Sequence, residues 1–254
     1  GKEKSFISFL SPEWMKMLSS TEADPQRLGM GTDMNTGTGW PFGGPQITPE
    51  YAAKKVVLKK LELKTGEAAG ADFLSAGKLE AVTVVSKAGK KIVLKPAEGM
   101  KWKAPSGDWT LYAAFEAPTG QKVKRPAPGG EGFVMDHFSR KAVEHYLDRF
   151  EKAFKSSGAK PPRAFFNDSY EVYGENWTDD FLNEFRARRS YGIEEQLPAF
   201  SGDGDPDIVA RVKDDYRETI SDLLLEKFTR TWTGWSHRMG AVSRNQAHGS
   251  PGNL

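Results

Sequence analysis

Phe165-Phe166-Asn167-Asp168-Ser169-Tyr170-Glu171 is a short apolar run that ends in two carboxylic acids three residues apart. Pro161-Pro162 punctuates its start and Tyr173-Gly174 its end, so it reads as a buried strand that delivers acids to its own C-terminal rim. Enzymes of the α/β class assemble their chemistry on that rim. Upstream, Ala142, Val143, Tyr146, Leu147, Phe150 and Phe154 recur at helical spacing between Ser139 and Gly158. Downstream, Asp179-Asp180 opens a helix carrying Phe181, Leu182 and Phe185, and Asp205-Pro206 opens a longer one. The apolar stripe of that longer helix runs from Ile208 through Val212, Tyr216, Ile220 and Leu224 toward Trp232, and the helix stops at Gly240. Ala241-Val242-Ser243 follows as a strand with Gln246-Ala247-His248-Gly249 at its rim. Alternation on this scale, roughly 30 or more residues for each strand–crossover–strand unit, predicts an α/β chain with a parallel sheet or barrel.

The segments before it read differently. Ser11 is placed to cap a helix that starts at Pro12 and runs to about Leu18. Leu28 to Asp33 is a plausible strand, and it runs into Gly37-Thr38-Gly39-Trp40-Pro41-Phe42-Gly43-Gly44-Pro45, a glycine-rich loop of the kind that approaches a ligand closely. Thr48-Pro49-Glu50 restarts a helix that ends near Lys54. Between Lys55 and Glu116 short β-branched runs separated by glycine turns predict antiparallel strands, a small insertion whose last strand, Trp109 to Phe115, is expected to return to the main sheet. The resulting division is 1–54 as the first part of a barrel, 55–108 as the β insertion and 109–254 as the continuation of the barrel. Lys122, Lys124 and Arg125 lie in a Gly/Pro loop and read as a solvated face.

Composition narrows the function classes. The 254 residues carry 36 Lys and Arg against 34 Asp and Glu, and the net charge of +2 gives no general pull toward nucleic acid or anionic membrane. No apolar run approaches the roughly 20 residues of a membrane helix, and the N-terminus lacks the apolar core of a signal peptide. Cysteine is absent, which removes thiolate nucleophiles and thiolate metal sites. The chain starts at Gly1 and ends at Leu254, just past the rim of a strand, and so reads as a fragment of a longer polypeptide.

Among the chemistry-bearing residues, Asp168 and Glu171 come first. A carboxyl half-buried among Phe, Tyr and Trp is expected to have its pKa raised, the profile of a general acid. The competing reading makes Glu171 a helix cap or the partner of an arginine such as Arg163. Trp40 and Phe42 offer flat apolar faces for a sugar ring, or else anchor a tight turn. His145 and His237 fall inside helices and read as packing or surface residues. His137, which follows Asp136 at the end of another apolar run, and His248 at its strand rim either hydrogen-bond substrate hydroxyls or serve as satisfied structural residues. Neither a phosphate-binding Gly-Lys-Ser/Thr nor a Gly-x-Ser-x-Gly elbow is present. Glycoside hydrolysis, which needs carboxylates and aromatic platforms and no cysteine, fits best.

Three motifs together resemble the α-L-rhamnosidases of glycoside hydrolase family 106: Asp33-Met34-Asn35-Thr36-Gly37-Thr38-Gly39-Trp40-Pro41-Phe42-Gly43-Gly44-Pro45, Asn167-Asp168-Ser169-Tyr170-Glu171 and Gln246-Ala247-His248-Gly249. Tyr191-Gly192, Leu197-Pro198 and the stretch from Trp102 to Trp109 fall in the same order. The resemblance implies a (β/α)-barrel of the TIM type, incomplete in this chain, and cleavage of α-linked L-rhamnose in oligo- or polysaccharides with inversion. It implies Glu171 as general acid, with Asp168 as its orienting or sugar-binding neighbour and Asp33, Trp40, Asp136, His137 and His248 as sugar-binding residues. A calcium ion that contacts the sugar is implied without ligands that can be matched here, as is a periplasmic or secreted parent protein. The general base is expected beyond residue 254. The alternative is a non-catalytic carbohydrate-binding barrel fragment.

Overall fold

A computed structural model describes residues 5–246. In chain order the elements are α1 (Pro12–Arg27), β1 (Asp33–Asn35), β2 (Gly43–Gly44), a 3-10 turn (Pro49–Tyr51), β3 (Lys54–Leu63), α2 (Ala71–Leu74), β4 (Lys78–Ser86), β5 (Lys91–Leu94), α3 (Pro96–Gly99) and β6 (Trp109–Pro118). They continue with β7 (Phe133–Val134), α4 (Arg140–Ser157), β8 (Ala164–Asn167), α5 (Phe181–Arg189), a second 3-10 turn (Ile193–Gln196), α6 (Leu197–Phe200), α7 (Pro206–Leu223), a π-helical turn (Leu224–Thr229), α8 (Arg230–Arg238) and β9 (Val242–Asn245). The chain divides into two compact units. One comprises Gly1–Ala53, Thr119–Glu175 and Asp222–Leu254, and the other Lys54–Pro118 and Asn176–Ser221.

The first unit holds the parallel sheet. Its strands lie in the order β1-β8-β9, with Asp33 opposite Ala164 and Asn35 opposite Phe166 on one side, and Ala164 opposite Val242 and Asn167 opposite Asn245 on the other. Helix α4 forms where the spacing predicts it. Ser139 Oγ accepts from the Ala142 N–H at 3.3 Å, and Gly158 closes the helix at φ +68° with its N–H donating to the Phe154 carbonyl, so each end carries a cap. The buried stripe Val143, Tyr146, Leu147, Phe150 and Phe154 packs into one aromatic core with Phe165 of β8 and with Trp232 and Trp235 of α8. Phe165 is wholly buried, its ring centroid 4.6 Å from Trp235 and 5.9 Å from Phe154. Truncating such a ring costs about 3–5 kcal/mol, which is the physical content of the apolar run before Asp168.

Several expectations need correction. The three parallel strands do not close into a barrel among the described residues, since closure takes about eight; the fold seen is mixed α/β with small sheets. Helix α1 runs on to Arg27, well past Leu18, because nothing before Pro25 breaks it. The run from Leu28 is strand only from Asp33 to Asn35, and Leu28 and Met30 are exposed. The expected helix to Lys54 is one 3-10 turn, after which the chain enters β3.

The second unit contains a four-stranded antiparallel sheet in the order β3-β6-β4-β5. Strand β6 does not return to the parallel sheet: it is the central strand here, paired with β3 from Leu63–Trp109 to Lys54–Pro118 and with β4 on its other edge. Its run from Leu111 to Phe115 is buried on both faces, as a central strand requires. Leu63, Val82, Val84, Leu111, Ala113 and Phe115 form the core of this sheet. In the same unit Trp177 stacks on Phe181 at 4.2 Å, and Tyr216 of α7 contacts Phe181 and Phe200.

Candidate active site

Strand β8 ends at Asn167, whose side-chain amide donates to Asn245 Oδ1 of β9 at 2.9 Å. Because β1, β8 and β9 are parallel, the loops that leave β1 at Thr36 and β8 at Asp168 depart from the same edge of the sheet. The first loop carries Trp40 and the second Glu171. The two are joined through a third segment, for Trp40 pairs with Lys124 in an antiparallel bridge in which the Lys124 N–H donates to the Trp40 carbonyl at 3.0 Å. Gly39 permits that approach, since a Cβ there would stand 2.0 Å from the Lys124 carbonyl oxygen. A Cβ on Gly43 would likewise stand 2.3 Å from the carbonyl of Phe133. At these two glycines it is backbone that comes close, as in the tight anchored turn that was one of the two readings of this loop. Phe42 is a core ring, stacked on Tyr146 at 5.3 Å and 2% exposed, so of the two aromatics only Trp40 is available as a platform.

The Glu171 carboxylate accepts three hydrogen bonds. Lys124 Nζ donates to Oε2 at 2.6 Å, Tyr173 Oη donates to Oε2 at 3.0 Å, and Ser169 Oγ donates to Oε1 at 3.1 Å. Lys124 Nζ also donates to Tyr173 Oη at 2.9 Å and stands 4.5 Å over the Tyr173 ring and 5.9 Å over that of Trp40. Gln121 fixes the loop beneath, donating from Nε2 to the Glu171 carbonyl at 2.8 Å and accepting from the Tyr173 N–H at 2.6 Å. The Lys124 ammonium, then the Trp40 indole N–H and the Tyr173 hydroxyl, with a smaller part from Ser169, hold the Glu171 pKa down at about 2. The indole N–H acts on Glu171 by proximity, for it makes no hydrogen bond of ordinary geometry. The expected upward shift is reversed because the aromatic neighbours turn polar edges, and a cation, toward the carboxyl. Glu171 is therefore a carboxylate at neutral pH.

Behind this loop lies a buried network. Glu175, 5% exposed, accepts from Tyr170 Oη at 2.6 Å and from the His137 N–H at 2.9 Å. His137 Nδ1 donates to the Met135 carbonyl at 2.9 Å and lies 3.3 Å from Glu175 Oε2. Burial first, and Glu175 next, push the Tyr170 phenol well above its usual range, so it stays a donor. Asp136 is fully buried and its Oδ1 accepts from the Phe138 N–H at 2.8 Å. Asp136 and His137 thus support the loop from within, both residues being almost wholly buried.

The remaining predicted residues are dispersed. Asp168 Oδ1 accepts from the Ser169 N–H at 2.8 Å, at the head of the loop. Asp33 opens β1 at the opposite end of the sheet, where Arg163 and, at 2.9 Å, Arg244 pair with it. The arginine considered as a partner for Glu171 is therefore engaged elsewhere. His248 lies outside the described residues. Sequence reasoning missed Lys124, Gln121, Tyr173 and Glu175. The basic run at 122–125 carried a signal, but nothing local ties residue 124 to residue 171.

Among the described residues no group of three His, Cys, Asp or Glu side chains could hold a metal ion. Calcium takes six to eight oxygen ligands, and the side chains gathered on Glu171 are a lysine, a tyrosine, a serine and an indole. That set does not fit a calcium ion.

Comparison with known proteins gives three findings. Residues 75–251 match the α-L-rhamnosidase family, glycoside hydrolase family 106. A curated protein of Formosa agariphila, named as a putative beta-glucuronidase, is 27% identical over 92% of this chain and 25% of its own length. A solved rhamnosidase from Novosphingobium sp. PP1Y shares the fold with a TM-score of 0.73 at 16% identity, over 95% of this chain and 41% of that one. The chain therefore spans a quarter of the first and about two fifths of the second.

Proposed function

The chain belongs to the α-L-rhamnosidase family, glycoside hydrolase family 106, and from that premise we propose that its parent protein hydrolyses α-L-rhamnosidic bonds with Glu171 as general acid. The observation that carries this reading is the built setting of Glu171. A carboxylate at the C-terminal edge of parallel strands is oriented by three side-chain donors, and the backbone on either side of it is clamped by Gln121. Trp40 supplies an apolar face beside it. As general acid, Glu171 protonates the glycosidic oxygen as the bond to the sugar breaks, and it must gain a proton first. Lys124 is the chief obstacle to that protonation, so its ammonium has to move off the carboxylate before the reaction.

In this reading the reaction inverts, with a second carboxylate of the parent polypeptide activating water about 6.5–9.5 Å from the acid. Asp168 is engaged with its own loop and is assigned to orientation or to a sugar hydroxyl. The three parallel strands are taken to be part of a (β/α)-barrel that the parent completes, and the substrate is a rhamnose-containing carbohydrate.

The test is Glu171→Gln in the full-length parent. With a sugar as leaving group kcat is expected to fall about 10²–10⁴-fold. A nitrophenyl rhamnoside, whose leaving group departs without a proton, should suffer far less. Undiminished cleavage of the sugar substrate would remove Glu171 from the reaction, and release of the α-anomer in a freshly started reaction would exclude inversion. A second reading, sugar binding without turnover, draws support from the ionised state of Glu171; heat of L-rhamnose binding with no hydrolysis by the parent would favour it.

A further inference from the structure

The ion pair at Glu171 is built to be exchanged. Lys124 is 37% exposed at its side chain and Tyr173, its other partner, is 60% exposed, so neither is locked in place by burial. Arg125 follows immediately and adopts φ +49°, a left-handed conformation that a non-glycine residue enters at a cost. That turn sets its guanidinium 6.0 Å from the Trp40 ring, on the platform that Lys124 also faces. Lys122, two residues earlier, rests over Phe133 at 5.8 Å. Among the described residues neither Arg125 nor Lys122 has a carboxylate partner. Of the three cations between residues 122 and 125, Lys124 alone pairs with a carboxylate, and Lys124 and Arg125 together bring two positive charges to the Trp40 ring. An anion that settled on Trp40 would compete with Glu171 for the Lys124 ammonium and would find Arg125 already in place. A neutral sugar offers nothing that competes.

We propose that Lys124 is a specificity-determining residue: its ammonium passes from Glu171 to an anionic group, carboxylate or sulfate, on the sugar next to the rhamnose, so that Glu171 is freed to take up a proton when such a substrate is bound. Arg125 is the second contact for the same anion, and Trp40 the surface under the sugar ring. No covalent step is added to the reaction; the anion of the substrate replaces one salt-bridge partner by another. The proposal rests on the reading of Glu171 as general acid in a rhamnosidase.

The test uses the full-length parent and three disaccharides with α-L-rhamnose at the non-reducing end: one on a uronic acid, one on its methyl ester, and one on a neutral sugar bearing a sulfate ester. The wild-type protein is expected to cleave the uronate with kcat/KM at least tenfold above that of the methyl ester. Lys124→Gln is expected to bring that ratio to within about twofold of one, and Arg125→Ala to reduce it by severalfold. Preference for the sulfated substrate as well as the uronate identifies a general anion site, and preference for the uronate alone identifies a carboxylate site; both sustain the proposal. Equal cleavage of uronate and ester by the wild type overturns it, and that comparison stands even if Lys124→Gln fails to fold. A tenfold preference that survives in Lys124→Gln also overturns it. Release of no rhamnose from any of the three overturns the hydrolase reading itself, an outcome distinct from cleavage without preference.

Discussion

Lys124 Nζ stands 2.6 Å from Glu171 Oε2 and is the first cause of the low proton affinity of that carboxyl, so removing the ammonium should raise it. In Lys124→Met the Glu171 carboxyl is expected to titrate upward from about 2 toward the ordinary carboxylate range near pH 4, read by carboxyl-carbon NMR in glutamate-labelled protein. An unchanged titration would mean that Trp40 and Tyr173 suffice. A different logic governs Glu175. Its side chain is buried and accepts from His137 N–H and Tyr170 Oη, so Glu175→Ala strands two donors in the interior. The expected loss is about 3 kcal/mol, because each orphaned buried group costs roughly 1–3 kcal/mol. Tyr170→Phe removes a donor and leaves Glu175 with His137, and should lose about 1 kcal/mol. Urea unfolding of both variants, compared with wild type, measures the difference. A loss in Tyr170→Phe as large as in Glu175→Ala would show that the Tyr170 hydroxyl carries the whole contribution of the Glu175 carboxylate and the His137 N–H none.

At the scale of elements, the bridge between Trp40 and Lys124 connects the loop after β1 to the segment that supplies the cation. Gly39→Ala would put a Cβ 2.0 Å from the Lys124 carbonyl, and the backbone must separate to admit it. The expected cost is about 1–3 kcal/mol, as for other overpacked sites, together with a fall in activity of the parent, since Lys124 and Trp40 move apart. A Gly66→Ala control, at a left-handed turn with nothing within 4 Å, should lose stability without losing activity. Thermal unfolding and kcat/KM measured on both variants check this. The same bridge shows what the sequence can and cannot convey. Helix α4 and strand β8 were legible because their signals are local: a stripe at helical spacing between Ser139 and Gly158, and an apolar run between prolines and a polar rim. The partner of β6 was not legible, for a half-buried strand reads alike in any sheet and only the pairing with Lys54–Leu63 places it. Gly39 and Gly43 were ambiguous for a related reason, since a glycine that admits a neighbouring backbone carries the same letter as one that admits a ligand. Glu171 itself was visible. Its protonation state was set by residue 124, which no spacing rule connects to it.

For the molecule as a whole, two of the shifted carboxyls, Glu171 and Glu116, should make stability depend on pH in opposite directions. Glu171, with its folded pKa depressed, adds stability that is present above the unfolded value of about 4.3 and is lost as pH falls toward 2. Glu116, in the antiparallel unit, behaves oppositely. It is 9% exposed on β6, and burial first, then the negative charge of Asp179, raise its pKa to about 7, with Lys54 opposing. Between the unfolded value and about 7 the folded chain holds a proton that the unfolded chain releases, so stability falls as pH rises through that window. Discounted for the screening of a partly solvated cluster, the effect is about 1–2 kcal/mol. Glu116→Gln keeps the shape and removes the titration. At pH 8 it should therefore unfold at a higher temperature than wild type, while at pH 5, where Glu116 is already protonated, the two should differ little. Thermal unfolding of both proteins at the two pH values decides the matter: a difference that is the same at pH 5 and pH 8 would show that Glu116 does not titrate in the folded chain, and that Lys54 and Lys78 hold it ionised throughout.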